Sequence, residues 1–516
     1  MSWRPEVEDI RRRREFADGL GGPEVIARQH EFGKMTARER IVALFDAGSF
    51  HEIGVLTGAA EYDADGSLEK VTPANSVIGK GRIDGRRVVV SADDFTIRGG
   101  SSESAISEKW IYAERLAIDM QVPLVRLVDT AGGSVRLLEK QGATKLPGYG
   151  SWESANMLGK IPVVGVAMGA CAGLGAIKVA GSHFSIMVKD TSQVFAAGPP
   201  VVEAGMNQTI SKEELGGYQV HARGSGVVDN EAESEDDAIA QAKRFLTYLP
   251  RNVHRLPPVQ GRDDDPERRE EALLELIPRQ RRRVYEARKI LQLILDRGSI
   301  FEIGRYNGPS VITCLARLDG HPVGVLANDP YKYGGAMTLM SSQKIESFVD
   351  LCDTFHIPIV NFFDQPGVMI GLEAEKAGTI RAAIRALAAI EQSNTPWCSV
   401  IVRRAFGVAG AAHGRIGGIN LRYAWPSALW GSIPVEGGVA AAYRRELADH
   451  PDPVARTEEL ENHFSQYASP FRTAERFGVN DIIDPRDTRP LLCDWVRDAY
   501  EQLPEMTGPR ARTMRR

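Results

Sequence analysis

The sequence predicts an α/β protein of two tandem domains related by internal duplication. Landmarks recur at a nearly constant spacing, each copy alternates strand and helix patterns, and the length of 516 residues exceeds a typical domain several-fold. The main repeat period is 235 residues, the distance from Gly85 to Gly320. A period of that length indicates two large domains rather than a solenoid of short repeats.

The repeated landmarks run through a whole unit of strand, helix and strand. The shift becomes 234 between Pro162 and Pro396, so one deletion separates the two registers. An earlier element, in which Glu52 matches Glu302, repeats at a shift of 250. The pairs that share the shift of 235 are Arg82–Gly85 with Arg317–Gly320, Asp94 with Asp329, Gly99-Gly100 with Gly334-Gly335, Val122–Val125 with Ile357–Val360, Asp129 with Asp364, and Gly132 with Gly367.

The same elements are expected in both halves. A helical arm comes first, with a capping-box pattern at Thr36 and Glu39. Each half then shows a hairpin around an Asp-Gly turn, a Gly-Gly loop, a long helix and a buried strand, which implies βαβ crossovers and a largely parallel sheet. The predicted ranges are 87–92 and 322–327 for the second hairpin strand, 104–120 and 341–355 for the helix, 122–128 and 357–363 for the next strand, and 282–295 for the helix that opens the second half.

A segment rich in proline and charge separates the two halves. Residues 250–271 carry no apolar periodicity, which is typical of a linker. The predicted domains are therefore residues 1–255 and residues 270–516.

Composition excludes several classes of function. The net charge of -5 gives no basic field for nucleic acid or an anionic membrane. The most apolar run, residues 161–177, contains four glycines and is interpreted as a buried strand and turn, not a membrane span. The five cysteines form no CxxC pair, so neither a metal site nor a disulfide framework is expected. Together with an N-terminus that lacks an apolar signal region, this favours the cytoplasm.

The familiar catalytic signatures are absent from the sequence. It contains no GxSxG elbow, HExxH pair, Walker lysine loop or dinucleotide-binding glycine motif. Two matched glycine-rich turns, residues 168–176 and 403–412, each follow an apolar strand. Such turns present backbone N–H groups in the manner of an oxyanion hole. The alternative is that their small residues only allow a strand and a helix to pack closely.

Several long motifs lie along the chain in a specific order. They are KMTARERI at 34–41, IMVKDTSQVFAAGPPVVEA at 186–204, SKEELGG at 211–217, DQPGVMIG at 364–371 and YAWP at 423–426. In these motifs the chain resembles the carboxyltransferase (β) subunit of biotin-dependent acyl-CoA carboxylases, such as the propionyl-CoA and methylcrotonoyl-CoA carboxylases. The resemblance extends from about residue 10 to about residue 510.

The resemblance implies that each half is a crotonase-like (ClpP/crotonase) domain. Acyl-CoA would bind the N-terminal domain, and carboxybiotin would bind the C-terminal domain. Each active site would lie between the N-domain of one subunit and the C-domain of another, in a homohexamer arranged as a dimer of trimers. The biotin would be carried by a separate biotin carboxylase or biotin carboxyl carrier subunit, since this chain lacks an AMKM biotinylation segment and an ATP-grasp glycine loop.

The resemblance also implies roles for individual residues. Gly173 and Leu174 would donate backbone N–H groups to the thioester enolate, and Val408 and Ala409, beside Gly407, would do so for the ureido oxygen of biotin. The residues expected at the substrate are Gly132, Gly133, Cys171, Ala172, Ala411 and His413, with a core role as the alternative for Cys171 and a structural one for His413. Those expected at the biotin are Gly367, Val368 and Gly410.

Carboxyl transfer of this kind fits the absence of the familiar catalytic signatures, because the reaction requires stabilised anions rather than a nucleophilic side chain. The chain departs from the family pattern where two glycines are usual, at Gly173-Leu174, and where GGAY is usual, at residues 407–410. Propionyl-CoA or a similar short-chain acyl-CoA is the default substrate. The alternatives are a biotin-linked acyl-CoA decarboxylase component and a non-catalytic scaffold of a biotin-carrying complex.

Overall fold

A computed structural model describes residues 2–143, 154–280, 283–413 and 418–511. The chain forms two compact units that divide between His254 and Arg255.

The first unit begins with three helices and continues as an α/β domain. Its strands are β1 His51–Ile53, β2 Gly58–Tyr62, β3 Leu68–Pro73, β4 Ser76–Ile83, β5 Arg86–Asp93, β6 Leu124–Thr130, β7 Val163–Ala172, β8 Phe184–Val188, β9 Gln193–Phe195 and β10 Asn230–Ala232. Its helices are α1 Arg4–Asp18, α2 Pro23–Glu31, α3 Ala37–Leu44, α4 Ser107–Met120, α5 Arg136–Gln141, α6 Ser154–Met157, α7 Leu174–Ala180, α8 Pro199–Met206, α9 Lys212–Gly216, α10 Tyr218–Val220 and α11 Glu235–Tyr248, with a short 3-10 turn at Arg98–Gly100 and a π turn at His221–Ser225.

The second unit has the same kind of architecture. Its strands are β11 Phe301–Ile303, β12 Val311–Leu318, β13 His321–Asn328, β14 Ile359–Gln365, β15 Trp397–Phe406, β16 Asn420–Ala424, β17 Leu429–Gly431 and β18 Asp481–Ile482. Its helices are α12 Ala287–Ile294, α13 Leu339–Thr354, α14 Leu372–Lys376, α15 Thr379–Gln392, α16 Gly407–Ala412, α17 Val435–Ala442, α18 Arg444–Asp449, α19 Pro453–Ser465, α20 Pro470–Ala474 and α21 Thr488–Gln502, with 3-10 turns at Glu271–Leu274, Tyr333–Gly335, Pro485–Asp487 and Leu503–Met506.

The two main sheets have the same strand order. The first runs β1-β4-β5-β6-β7-β8-β10, with β9 paired to β7, and the second runs β11-β12-β13-β14-β15-β16-β18, with β17 paired to β15. In each sheet the first three strands pair antiparallel and the later pairs are parallel. This agreement strand by strand confirms the predicted α/β class and the internal duplication.

The hairpin turns of the two halves are held by equivalent carboxylates. The carboxylate of Asp46 accepts the backbone N–H groups of Asp84 and Gly85 at 3.0 and 2.9 Å. The carboxylate of Asp296 accepts the backbone N–H groups of Asp319 and Gly320, the equivalent residues of the second half, at 3.1 and 2.8 Å. Both Asp-Gly turns have positive φ at each residue, as a two-residue hairpin with a primed turn requires.

The predicted elements are present, with shifts of a few residues at their ends. The capping box of Thr36 and Glu39 is formed. The strands expected from residues 122 and 357 begin two residues later, at Leu124 and Ile359, because Pro123 and Pro358 have no N–H to donate to a ladder. The helix expected at 282–295 spans 287–294, and residues 281–282 lie outside the described part of the chain.

The segment predicted as a linker packs against the second unit at Arg268. Its guanidinium group bonds the carboxylate of Asp264 and donates to the carbonyls of Leu293 and Leu295 at 2.6 and 3.2 Å. These bonds fix this part of the segment to the end of α12.

The duplicated aspartates give a matched stability test. Asp296 also pairs with the buried Arg489 at 2.9 Å, whereas Asp46 makes no ion pair among the described residues. Replacing Asp296 by alanine leaves that guanidinium group buried without this carboxylate. We expect Asp296→Ala to lower the free energy of unfolding by about 3–5 kcal/mol and Asp46→Ala to lower it by about 1 kcal/mol.

Urea unfolding, with hydrogen exchange read separately in each unit, measures both losses. Equal losses for the two variants would show that the Asp296–Arg489 pair adds no stability beyond the shared turn bonds.

Candidate active site

The first glycine-rich turn joins the buried strand β7 to helix α7. Gly173 lies between them with φ of +56°, a backbone conformation that favours glycine. Leu174 is the first residue of the helix, where backbone N–H groups have no acceptor within the helix. The strand therefore ends at a turn that presents amide donors.

In this turn the N–H of Leu174, and not that of Gly173, is available as a donor within the described residues. The N–H of Gly173 already donates to the carbonyl of Phe195 in β9, at 3.1 Å. Among the described residues no acceptor binds the N–H of Leu174 or of Gly175. The expected donor role of Gly173 is corrected: this glycine supplies the bend, and its N–H bond ties the turn to β9.

A second glycine turn lies beside the first. A Cβ atom on Gly132 would be 3.0 Å from the carbonyl oxygen of Ala172, so Gly132 packs directly on the end of β7. Its N–H donates to Oγ1 of Thr130 at 3.1 Å, and its carbonyl accepts the N–H of Ser102 at 2.9 Å. Gly133 faces open space. The structure thus places Gly132 against Ala172 at the end of β7, while the expected contacts of Gly132, Gly133 and Ala172 with substrate stay predictions.

Cys171 does not belong to the substrate surface. Its side chain is fully buried, and its thiol donates to the carbonyls of Val128 and Gly169 at 3.3 and 3.4 Å. Burial raises the pKa of this thiol well above its usual range. The expected contact with substrate is wrong for this side chain, because the alternating pleat of β7 points it into the core.

The second glycine-rich turn joins β15 to α16. Gly407 has φ of +62°, and the helix begins there without a side-chain cap. Val408 is 69% exposed, Ala409 is buried and Ala411 is exposed. The turn therefore repeats the geometry of the first one, with a side chain at Val408 that faces outward.

Gly410 has a packing role. A Cβ atom at this position would lie 2.5 Å from the backbone carbon of Ala405, in the strand that precedes the turn. Glycine is required there so that α16 can lie close to β15. Gly410 is buried against its own strand, and its expected contact with biotin stays a prediction.

His413 follows α16 and is buried. Its ring stacks on Phe363, with centroids 4.9 Å apart, and its two nitrogens lie 2.9 and 3.3 Å from the side-chain amides of Asn361 and Gln365. Burial, and then the charge of Arg422, lower the pKa of His413 to about 4. The imidazole is therefore neutral near pH 7, and the ring does not reach the surface.

Gly367 repeats the bonding of Gly132 at the equivalent position. Its N–H donates to Oε1 of Gln365 at 3.1 Å, and its carbonyl accepts the N–H of Met337 at 3.0 Å. Val368 follows and forms an isolated parallel bridge with Met337. The anchors Thr130 and Gln365 were not singled out from the sequence, although both lie two residues before the glycine they bind.

Each sheet carries a fully buried carboxylate at the end of the strand before these glycines. The carboxylate of Asp129 forms ion pairs with Lys34 at 2.7 Å and Arg40 at 3.0 Å. The carboxylate of Asp364 forms ion pairs with Arg403 at 2.9 Å and Arg404 at 2.5 Å. These cations come from other elements: residues before the first sheet supply those of Asp129, and the neighbouring strand β15 supplies those of Asp364.

A basic cavity of about 700 Å³ adjoins the first site. Its lining includes Gly99, whose carbonyl accepts the N–H of Ala131, the residue before Gly132. No carboxylate lines the cavity, and none pairs with its four cations within the described residues. These cations are Arg28, Lys70, Arg98 and Lys212.

Several other polar side chains of the first unit have partners within the fold. Lys178 lies over the ring of Trp110, 3.8 Å from Asp93, and Lys189 pairs with Glu231 at 3.1 Å. His221 bonds Ser225 at 3.0 Å, and burial lowers its pKa. Among the described residues no helix is long and apolar enough to cross a membrane, and no cluster of His, Cys, Asp and Glu could hold a metal ion.

The carboxyl transferase domain model matches residues 28–506. The chain belongs to this family. It is 36% identical to the propionyl-CoA carboxylase carboxyltransferase subunit of Haloferax mediterranei, with 95% of each chain covered. It is also 36% identical to the methylmalonyl-CoA decarboxylase subunit alpha of Veillonella parvula, with 92% of this chain and 91% of that one covered.

A solved structure of the transcarboxylase 12S protein superposes on this carboxyl transferase chain with a TM-score of 0.87 at 28% identity, covering 100% of this chain and 98% of that one. That structure is described as a hexamer assembly with methylmalonyl-CoA bound. The comparisons confirm the predicted family, the crotonase-like fold and the assignment as a carboxyltransferase enzyme.

Proposed function

We propose that this chain transfers a carboxyl group from N1-carboxybiotin to the α-carbon of an acyl-CoA, with propionyl-CoA or a similar short-chain thioester as substrate. One observation carries the proposal. In a chain of the carboxyl transferase family, a positive-φ glycine ends the equivalent strand of each sheet and opens a turn of amide donors, at Gly173 and at Gly407. Two such turns suit a reaction in which two anions develop.

The chain's own groups act on these anions. When bound, carboxybiotin supplies carbon dioxide and the base that takes the α-proton. The N–H of Leu174 then stabilises the oxyanion of the thioester enolate, whose carbon attacks the carbon dioxide. The N–H groups of Val408 and Ala409 stabilise the negative charge at the ureido oxygen. Each such donor typically contributes about 3–4 kcal/mol to the transition state.

The surroundings of the second turn fit a ureido ring. The space next to Gly367 and Gly371 is open, and the side chain of Val408 is exposed. We assign Gly367 and Val368 to the biotin side, and Gly132, Gly133 and Ala172 to the acyl group. Ala411, which is exposed in the same helix as Val408, would limit the size of the acyl chain.

We infer that the acyl-CoA domain comprises residues 1–255 and the carboxybiotin domain residues 270–516. Each active site would then combine the first domain of one copy with the second domain of another, in a homohexamer arranged as a dimer of trimers. A hexamer assembly is described for the transcarboxylase 12S relative, which supports this arrangement. A separate biotin carboxylase and carrier subunit in the cytoplasm would supply the carboxybiotin.

We further propose that the basic cavity binds the phosphates of CoA. Four cations without an ion-pair partner among the described residues give a strongly positive lining. Arg98, one of them, has φ of +53°, an uncommon conformation for a side-chain-bearing residue and often a mark of a functional loop. The cavity wall at Gly99 continues through Ala131 to Gly132. A CoA chain could therefore run from the cavity to the Leu174 turn.

A decarboxylase component is the second candidate, because the Veillonella parvula relative is named as a decarboxylase subunit. The same enolate forms when a malonyl-type thioester loses its carboxyl group. A non-catalytic scaffold is a third candidate, but the amide donors of both turns argue against it.

The function is tested by ATP-dependent incorporation of labelled bicarbonate into a panel of acyl-CoAs, with this chain co-purified with its biotinylated partner. We expect labelled product with propionyl-CoA and weaker labelling with longer chains. No incorporation with any acyl-CoA, despite a carboxylated partner, would contradict the proposal. Loss of label from methylmalonyl-CoA in the same assay would support the decarboxylase.

The proposed binding of CoA phosphates in the basic cavity can be tested separately. Lys70→Glu and Lys212→Glu should each raise the KM for propionyl-CoA about tenfold, equivalent to ~1.4 kcal/mol, with kcat little changed. The effect should fall at high salt, because exposed charges are screened. The exposed Lys289→Glu in the second unit is the matched control.

Propionyl-pantetheine, which lacks the phosphates, should react equally well with the wild type and with both cavity variants. A KM that rises as much for propionyl-pantetheine as for propionyl-CoA would place the phosphates elsewhere.

A further inference from the structure

His413 is held by three residues of one strand. Asn361, Phe363 and Gln365 alternate along β14, so their side chains share one face of the sheet. The imidazole lies across all three, between the two amides and stacked on the ring. Its backbone carbonyl accepts the hydroxyl of Ser399 from the neighbouring strand at 2.8 Å. Ring and backbone are therefore both fixed to the sheet.

The bonds around the ring determine where its proton lies. Oε1 of Gln365 accepts the N–H of Gly367, so Nε2 of Gln365 is the atom that donates to Nε2 of His413. A neutral imidazole nitrogen that accepts carries no proton, so the proton is on Nδ1. The structure places Nδ2 of Asn361 2.9 Å from Nδ1 and leaves Oδ1 of Asn361 buried without a hydrogen bond within the described residues. Exchanging the two atoms of this amide lets Oδ1 accept the Nδ1 proton and satisfies both groups.

This arrangement links two segments of the second site. His413 ends the segment that starts at the Gly407 turn, and Gln365 holds the N–H of Gly367. Released from the imidazole, the Gln365 amide would rotate and exchange its carbonyl for an amino group that cannot accept the Gly367 N–H. The ring therefore fixes the position of the Gly367–Val368 loop relative to α16.

The first half of the chain lacks this link. The residue equivalent to His413, at a shift of 234, is Val179, which packs with Val128 in a buried apolar cluster. There the glycine anchor Thr130 is held instead by the carbonyl of Gly100, at 2.6 Å. An apolar residue is thus sufficient for folding at this position, and the buried polar link is particular to the second half.

We propose that His413 is a positioning residue for the carboxybiotin half of the site. It acts through Gln365 to fix the Gly367–Val368 loop relative to the amide donors of Val408 and Ala409. The assignment of these segments to carboxybiotin rests on the proposed function, whereas the link between His413 and Gly367 does not.

Two substitutions separate this role from general packing. Glutamine at position 413 places a carbonyl oxygen as many bonds from Cα as Nε2, so it can accept from Gln365 but not reach Asn361. Asparagine places its amide nitrogen as many bonds from Cα as Nδ1, so it can donate to Asn361 but leaves Gln365 without its acceptor. Both remove the ring from Phe363 and leave one buried amide unpaired.

We expect His413→Asn to raise the KM for the carboxylated carrier about tenfold and His413→Gln to raise it less than about threefold. The KM for propionyl-CoA should stay unchanged in both. Thr313→Val is the control, because it removes another buried side-chain bond of the second unit, from Thr313 to the carbonyl of Ile303, away from this site.

Hydrogen exchange of the Gly367 amide provides a readout independent of activity. His413→Asn should speed its exchange at least tenfold, whereas His413→Gln and Thr313→Val should leave it near the wild-type rate. Equal exchange and equal KM in the Asn and Gln variants would overturn the proposal, and so would a change confined to the KM for propionyl-CoA. If the wild type transfers no carboxyl group, the proposed function fails while the exchange still tests the link.

Discussion

The structure depends on a backbone constraint: in each half, a buried strand must end in a glycine with positive φ and continue directly as a helix. Gly173 and Gly407 meet this requirement, and each leaves unsatisfied N–H groups at the start of the helix. Each turn follows a largely buried strand, which favours donors that are already in place before charge develops. Preorganised donors of this kind account for most of the transition-state stabilisation expected of carboxyl transfer.

Buried ion pairs fix the ends of β6 and β14, which pair with the strands that carry these turns. Asp129 and Asp364 occupy equivalent positions, yet their cations come from different parts of the fold: Lys34 and Arg40 precede the first sheet, whereas Arg403 and Arg404 belong to β15 itself. The geometry of the turn was kept through duplication while the ion pairs beneath it changed. Removing one partner of such a pair costs about 3–5 kcal/mol, so each buried aspartate anchors the end of its strand.

Much of the fold was accessible from the sequence because duplication repeats local signals. The Asp-Gly hairpins and the glycine-rich turns have mandatory residue types, and finding them twice fixed the order of the elements. The partners of His413 were not accessible, because Asn361 and Gln365 are brought to it only by the pleat of β14. Gly410 shows a second limit of sequence-based prediction. The sequence does not distinguish a glycine required for packing from one required for a ligand, and the packing role of Gly410 became visible only from its distance to Ala405 in the structure.

The donor role of Leu174 is the most direct test of the account. Proline is tolerated at the first position of a helix, so Leu174→Pro removes this N–H and keeps α7, while Leu174→Ala removes only the side chain. We predict that carboxyl transfer by Leu174→Pro falls about 100-fold to 1,000-fold in kcat, and that Leu174→Ala stays within about threefold of wild type. Equal rates for the two variants, with both correctly folded, would contradict the assignment of this turn as an oxyanion hole.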